Sequence, residues 1–256
     1  MIRYRFFALL LGAAALSACD KNAVQDITGP LPAARVRFFN FGVNAPSVNF
    51  YANDTKMTAT NSGTGVEATT GVSYGGVGSG GLYAGVDPGQ YTFSGRIAAT
   101  TDKDLPISNL TATLEDGKKY SVYQSGFYNT TAKTVDAFIV EDPFPDEFDY
   151  SVAYVRFVNA ISNSQPMTMY ITEPTSGNVI TVGGPVAYKA AGAFTAVPPA
   201  TYNLATRYTD STTNKISRTG VGFGAGRIYT ITARGDITIT STTATNRPFL
   251  DNTVNR

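Results

Sequence analysis

The string VRFFN at residues 36–40 returns as VRFVN at 155–159, and it does not return alone. GVDPGQYTF at 85–93 matches AVPPATYNL at 196–204, and GKKYSVY at 117–123 matches GRIYTIT at 226–232. The order is kept, and the offsets of 119, 111 and 109 residues drift only as loops of unequal length would make them drift. A chain carrying the same ordered set twice is expected to fold as two copies of one unit. Pro88 and Pro199 fix φ at tight turns, and Tyr91 and Tyr202 enter the strands that follow.

What the unit is follows from the runs between the turns. RVRFFNF from Arg35, SVNFYA from Ser47, QYTFSGRI from Gln90, KYSVYQSGF from Lys119 and TVDAFIV from Thr134 are rich in Val, Tyr, Phe, Ile and Thr. Gly, Pro, Asn and Asp separate them, and no amphipathic stretch of ten residues reads as a helix. The fold class is therefore all-β: two tandem immunoglobulin-like β-sandwich copies, 35–142 and 151–245, each long enough to bury a core. Val36 and Phe38 alternate with Arg35 and Arg37, the period of a strand buried on one face. Arg37 and its counterpart Arg156 are accordingly expected to face outward. With 15 Tyr, 15 Phe and no Trp, most of the rings are expected to fill the two cores.

Ahead of the copies, Arg3 and Arg5 precede an apolar run, Phe6 to Ala15, and then Leu16-Ser17-Ala18-Cys19. This is a secretory signal over 1–18, its apolar run too short for a permanent span. Its end resembles the lipobox of bacterial lipoproteins. Cys19 is the only cysteine, so it has no disulfide partner within the chain and stands where a lipid would be attached. Several acyl chains on that residue would anchor the protein far more firmly than one. Residues 19–34 then read as a lipidated N-terminus and polar tether reaching at most about 50 Å. The expected location is the cell envelope, at the outer membrane.

Without residues 1–18, the 20 basic side chains become 18 against 19 acidic ones, a formal charge of −1. That balance gives no electrostatic reason to expect nucleic acid as a partner. The chain has no histidine, which removes His-based triads and the usual imidazole metal ligand. A single cysteine likewise leaves no ordinary thiolate site.

The ordered set ARVRFFNFGVNAPSVNFYAND, GVDPGQYTF and LEDGKKYSVYQSG resembles the bacterial domain-of-unknown-function family 4397, DUF4397. Members open with a segment like ARVR…H-x-SPDAP-x-VD-x-Y, continue with P-AG-x-Y and close with L-x-AG-x-x-Y. The resemblance covers 34–140 well and 152–242 more loosely. It implies tandem β-sandwich modules on secreted or surface-attached proteins, and it supplies no established activity or catalytic residues to carry over. The family's His and Asp near the first strand are replaced here by Phe41 and Asn44, and in the second copy by Ala160 and Asn163.

YGGVGSGGLYAG at 74–85 lacks the Lys and hydroxyl of a phosphate loop, and is expected to be a flexible hairpin or bulged strand. Between the copies, the Pro-rich linker 143–150 and the residues just before it gather Glu141, Asp142, Asp146, Glu147 and Asp149, candidate calcium ligands matching no EF-hand spacing. Tyr74, Tyr83, Tyr128 and Tyr188 lie near loops and are candidate stacking residues for a glycan. Residues 246–256 read as a C-terminal tail. No cofactor other than that calcium is expected. The function expected is a non-catalytic binding or adhesion module, contacting the membrane through Cys19 and a glycan or envelope protein beyond it. The alternatives are a structural spacer or assembly subunit, and a hydrolase of envelope polysaccharide built on paired carboxylates.

Overall fold

A computed structural model describes residues 34–58 and 70–256, so the signal, Cys19 and most of the tether lie outside the described residues. The first copy consists of β1 (Ala34–Val43), β2 (Val48–Ala52), β3 (Thr55–Lys56), β4 (Gly76–Val77), β5 (Ala84–Val86), β6 (Gly89–Ile97), β7 (Pro106–Leu114), β8 (Lys119–Asn129) and β9 (Thr134–Glu141). The second repeats it as β10 (Ala153–Asn159), β11 (Met167–Thr172), β12 (Val179–Val186), β13 (Ala190–Ala191), β14 (Thr195–Val197), β15 (Ala200–Tyr208), β16 (Ile216–Phe223), β17 (Ile228–Arg234) and β18 (Phe249–Val254). All five strands read from the sequence are present.

Each copy is a two-sheet sandwich. In the first, β4-β1-β8-β9, with β5 also on β1, faces β3-β2-β6-β7; in the second, β13-β10-β17-β18, with β14 also on β10, faces β12-β11-β15-β16. Every pairing is antiparallel except β1 with β8 and β10 with β17, which are parallel, so the opening strand of each copy lies beside its penultimate one. The Gly-rich stretch forms β4, a 3-10 turn at Gly78–Gly81 and β5, an edge interrupted in the middle. Gly78 has to be small there, because a Cβ on it would sit 2.7 Å from Cγ2 of Thr58.

Val36, Phe38, Phe50, Phe93 and Leu114 are among the residues filling the first copy's core, and Val155, Phe157, Met169, Leu204 and Ile231 among those of the second. A third apolar cluster lies between the copies. Phe39, Phe41, Tyr123, Phe138 and Val140 of the first pack there with Val158 and Ala160 of the second. The inner sheets thus stand back to back, and their central strands are buried on both faces, as in sheets covered on two sides.

Two expectations are corrected. Arg37 and Arg156 do not face water: they are 0% and 1% exposed, because the side of the strand opposite each core is covered by the other copy. Residues 246–256 are not a tail. Within them Phe249–Val254 pairs along β17 as β9 pairs along β8, and Leu250 is fully buried in the second core.

Candidate functional site

The repeated five-letter string builds the seam between the copies letter by letter. Its Val and first Phe, Val36 and Phe38 or Val155 and Phe157, point into their own cores. The alternate residues, Arg37 and Phe39 or Arg156 and Val158, point toward the other copy, as a period of two requires. The closing Asn latches the loop beyond the strand. Asn40 donates to the Val72 carbonyl at 2.8 Å, and Asn159 accepts from the Ile161 amide at 3.0 Å.

At the centre lies Asp142, 2% exposed, just past the end of β9. Arg156 donates through Nη2 to its Oδ1, through Nη1 to the Glu141 carbonyl at 2.8 Å and through Nε to the Thr230 hydroxyl at 3.1 Å. Arg37 donates through Nε to the Ser121 hydroxyl at 2.8 Å and lies 3.7 Å from Asp142 Oδ2. Ser121 donates to that same oxygen at 2.7 Å, and Tyr83 donates to it at 2.5 Å. Ser121 and Thr230 hold equivalent places on β8 and β17, each opposite its arginine. One carboxylate therefore joins both copies of the repeat. Aromatic rings close the site. Tyr83 covers Arg37 at 4.6 Å, and Phe194, at the equivalent position before β14, covers Arg156 at 4.8 Å. Phe144 stands edge-on between those two rings, 6.4 Å from Tyr83 and 6.2 Å from Phe194.

The contacts on either side of this centre are reciprocal, as in a two-fold interface. Tyr188, two residues before β13, shares a 2.9 Å hydrogen bond with Ser125 on β8 and donates to Asp136 on β9 at 3.2 Å. Tyr74, two residues before β4, reaches the other way to Arg234 on β17, whose guanidinium lies 4.9 Å from the ring and pairs with Asp251 on β18. Gly75 is at φ +78°, and a Cβ there would come within 3.0 Å of that guanidinium. Burial raises the hydroxyl pKa of Tyr74, Tyr83, Tyr123 and Tyr188 above the ordinary tyrosine value, and nearby Asp142 raises Tyr83 further.

The residues picked from the sequence fall differently from expectation. Tyr74, Tyr83 and Tyr188 are seam residues rather than free platforms for a sugar, and Tyr128 leans on the first core. The five linker acids do not converge. Asp142 turns inward to the arginines, Glu141 pairs with Lys118 at 3.2 Å, and Asp149 binds the amide and hydroxyl of Ser151. Those bonds hold the Asp149 carboxyl below the usual range. Among the described residues no three His, Cys, Asp or Glu side chains are grouped to hold a metal. Phe41 and Ala160, where the family carries a polar residue, are seam residues.

Sequence reasoning missed the arginine–aspartate centre, although a signal was present. Phe38-Phe39 and Phe41 break the alternation of a half-buried strand, and an apolar run of that kind belongs to a strand covered on both sides. It also missed an open concavity of about 620 Å³ on the outer sheet of the second copy, beside Thr168, Tyr170, Pro185 and the 207–212 turn. There the Arg207 guanidinium lies 4.7 Å from the Tyr170 ring.

Fold and seam together define a tandem β-sandwich protein whose copies share one buried interface. The profile of a domain of unknown function, DUF4397, matches residues 34–147 and again 153–255. The chain belongs to that family, in two copies. Among solved structures it is similar to a "putative cell adhesion protein" from Bacteroides ovatus, at 11% identity over 89% of this chain and 97% of that one. The TM-score is 0.22, too low to carry any property across. No curated protein matches the chain.

Proposed function

We propose that the protein is a lipid-anchored, non-catalytic binding or adhesion module of the cell envelope, tethered through Cys19 at the outer membrane, in which the two sandwiches act as one stiff body. The seam carries this reading. Among the described residues its one buried carboxylate, Asp142, is engaged by Arg156, Ser121 and Tyr83, and is held for structure rather than for acid–base work. Fusing the inner sheets leaves the outer faces of the four-stranded sheets for contact. On the second copy that face holds the open concavity with Tyr170 and Arg207, a ring and a forked donor suited to a sugar.

The test is a screen of the purified full chain against bacterial and plant polysaccharides, with and without calcium. Binding that is lost in Tyr170→Ala, while the folded spectrum is unchanged, supports a glycan-binding module using this face. No binding to any polysaccharide overturns glycan recognition and leaves the stiff body as a spacer or as a presenter of protein contacts. Crosslinking on intact cells then separates those two.

A further inference from the structure

The buried centre of the seam has one more positive charge than negative ones. Two guanidiniums, Arg37 at 0% and Arg156 at 1% exposure, meet one carboxylate. Arg156 and Asp142 satisfy one another, and Asp142 Oδ2 already accepts from Ser121 and Tyr83. A carboxylate offers about four lone pairs, so little of Asp142 is left for Arg37. Among the described residues Arg37 Nη1 and Nη2 have no hydrogen-bond partner.

Four buried hydroxyls share that state, Tyr74 Oη, Tyr123 Oη, Thr206 Oγ1 and Thr232 Oγ1, and two of them, Tyr123 and Thr232, hold equivalent places in the two copies at the seam. Tyr123 sits opposite Phe39 on β8, diagonal to Arg37 on the same face, and both stack on the Phe39 ring, at 4.6 Å and 5.2 Å from its centroid. Thr232 holds the place on β17 that Tyr123 holds on β8, since each lies opposite the fourth residue of its repeat, and it lies near the Tyr123 hydroxyl across the seam without being aligned as its hydrogen-bond partner. Charge from Arg37, Arg156 and Asp142 also reaches that hydroxyl.

We propose that the seam binds one small monovalent anion of the halide class, held by Arg37, Tyr123 and Thr232 at the junction of the two copies. Each unmet buried donor forfeits the hydrogen bond it would make to water in the unfolded chain. A single anion accepts from all three groups and cancels the surplus charge. The faces of Phe39 and Tyr83 attract the guanidinium, but its in-plane N–H bonds still want an acceptor. A water molecule would accept those bonds and leave the charge.

The experiment is thermal unfolding of the full chain at fixed pH and ionic strength, replacing gluconate, too bulky for the seam, with chloride or bromide. The expected result is a midpoint that rises and saturates with either halide. Thr232→Val should raise the half-saturating concentration about tenfold, one donor's share, and Arg37→Met should abolish the dependence. Crystals grown in bromide should show an anomalous peak beside Arg37. Identical midpoints in gluconate and halide overturn the proposal, as does a halide effect that survives in Arg37→Met or a bromide peak without any effect on the midpoint. If Arg37→Met fails to fold, Thr232→Val and the bromide peak decide.

Discussion

The two faces that meet at the seam use equivalent positions and unequal side chains. The first copy presents Phe39, Phe41, Tyr123 and Phe138; at the same places the second presents Val158, Ala160, Thr232 and Asp251. Phe39, Tyr123 and Phe138 form a stack with centroids 4.6 Å and 4.9 Å apart, and small side chains accommodate it from the other side. Two aromatic faces would collide, and two small ones would leave a gap. The difference makes each copy a partner for the other and a poor partner for itself. Charge follows the same inequality. Arg156 donates to Asp142, to a carbonyl and to a hydroxyl, whereas Arg37 donates to one hydroxyl.

The largest effect should come from removing the shared carboxylate. Asp142→Asn leaves two guanidiniums buried without a counter-charge, and breaking a buried pair on one side costs about 3–5 kcal/mol. Arg156→Met should cost nearly as much, since the buried cation it leaves to Asp142 is Arg37, 3.7 Å away. Arg37→Met should cost less than half of that, because the Arg156–Asp142 pair survives it. Denaturant unfolding at fixed chloride measures all three. Equal losses in the two arginine variants would show that the centre is symmetric in energy despite its geometry.

Packing gives the next test. Phe39→Ala should cost about 3–5 kcal/mol, and Val158→Ala at the equivalent position about 1–3 kcal/mol, in proportion to the methylenes lost and the cavity left. The readout is a lower denaturation midpoint at unchanged slope. If Val158→Ala costs as much as Phe39→Ala, the second copy is not the smaller-contact face.

The strands were legible because Val, Tyr and Phe runs between Gly and Pro carry the local signal for β-structure by themselves. The repeat was legible because its turn residues, Pro88 and Pro199, recur in order. What the seam does with Arg37 was not legible, since a charged residue alternating with Val36 and Phe38 reads as solvent-facing until something covers it. That cover comes from a segment more than a hundred residues away, and a local pattern holds no record of it. The terminal strand was hidden for a related reason. Phe249 and Leu250 are its only large apolar residues of strand type beside Val254, and β18 exists because β17 needs a neighbour. Asp142 looked like one of several solvated linker acids, and nothing in its immediate sequence sets it apart from Asp146.

The finest comparison is between the equivalent tyrosines. Tyr188 binds Ser125 and Asp136 through its hydroxyl; the Tyr74 hydroxyl is buried with no well-aligned hydrogen-bond partner among the described residues. At pH 7, Tyr188→Phe should cost about 0.5–1.5 kcal/mol, and Tyr74→Phe close to nothing. Alkali should then change both gaps. Burial holds each of these hydroxyls above the ordinary value of 10.0 in the folded state, while the unfolded chain ionises near that value. The raised pKa therefore favours folding in full below pH 10 and progressively less as pH climbs beyond it. The parent's unfolding midpoint should stay level to about pH 9 and fall above 10. Each Phe variant lacks one of the groups responsible and should fall less steeply. The deficit of Tyr188→Phe thus narrows with rising pH, and Tyr74→Phe overtakes the parent. A Tyr74→Phe curve that stays parallel to the parent's from pH 7 to pH 11 would mean that its hydroxyl ionises as readily in the seam as in water, and that the seam opens on that side.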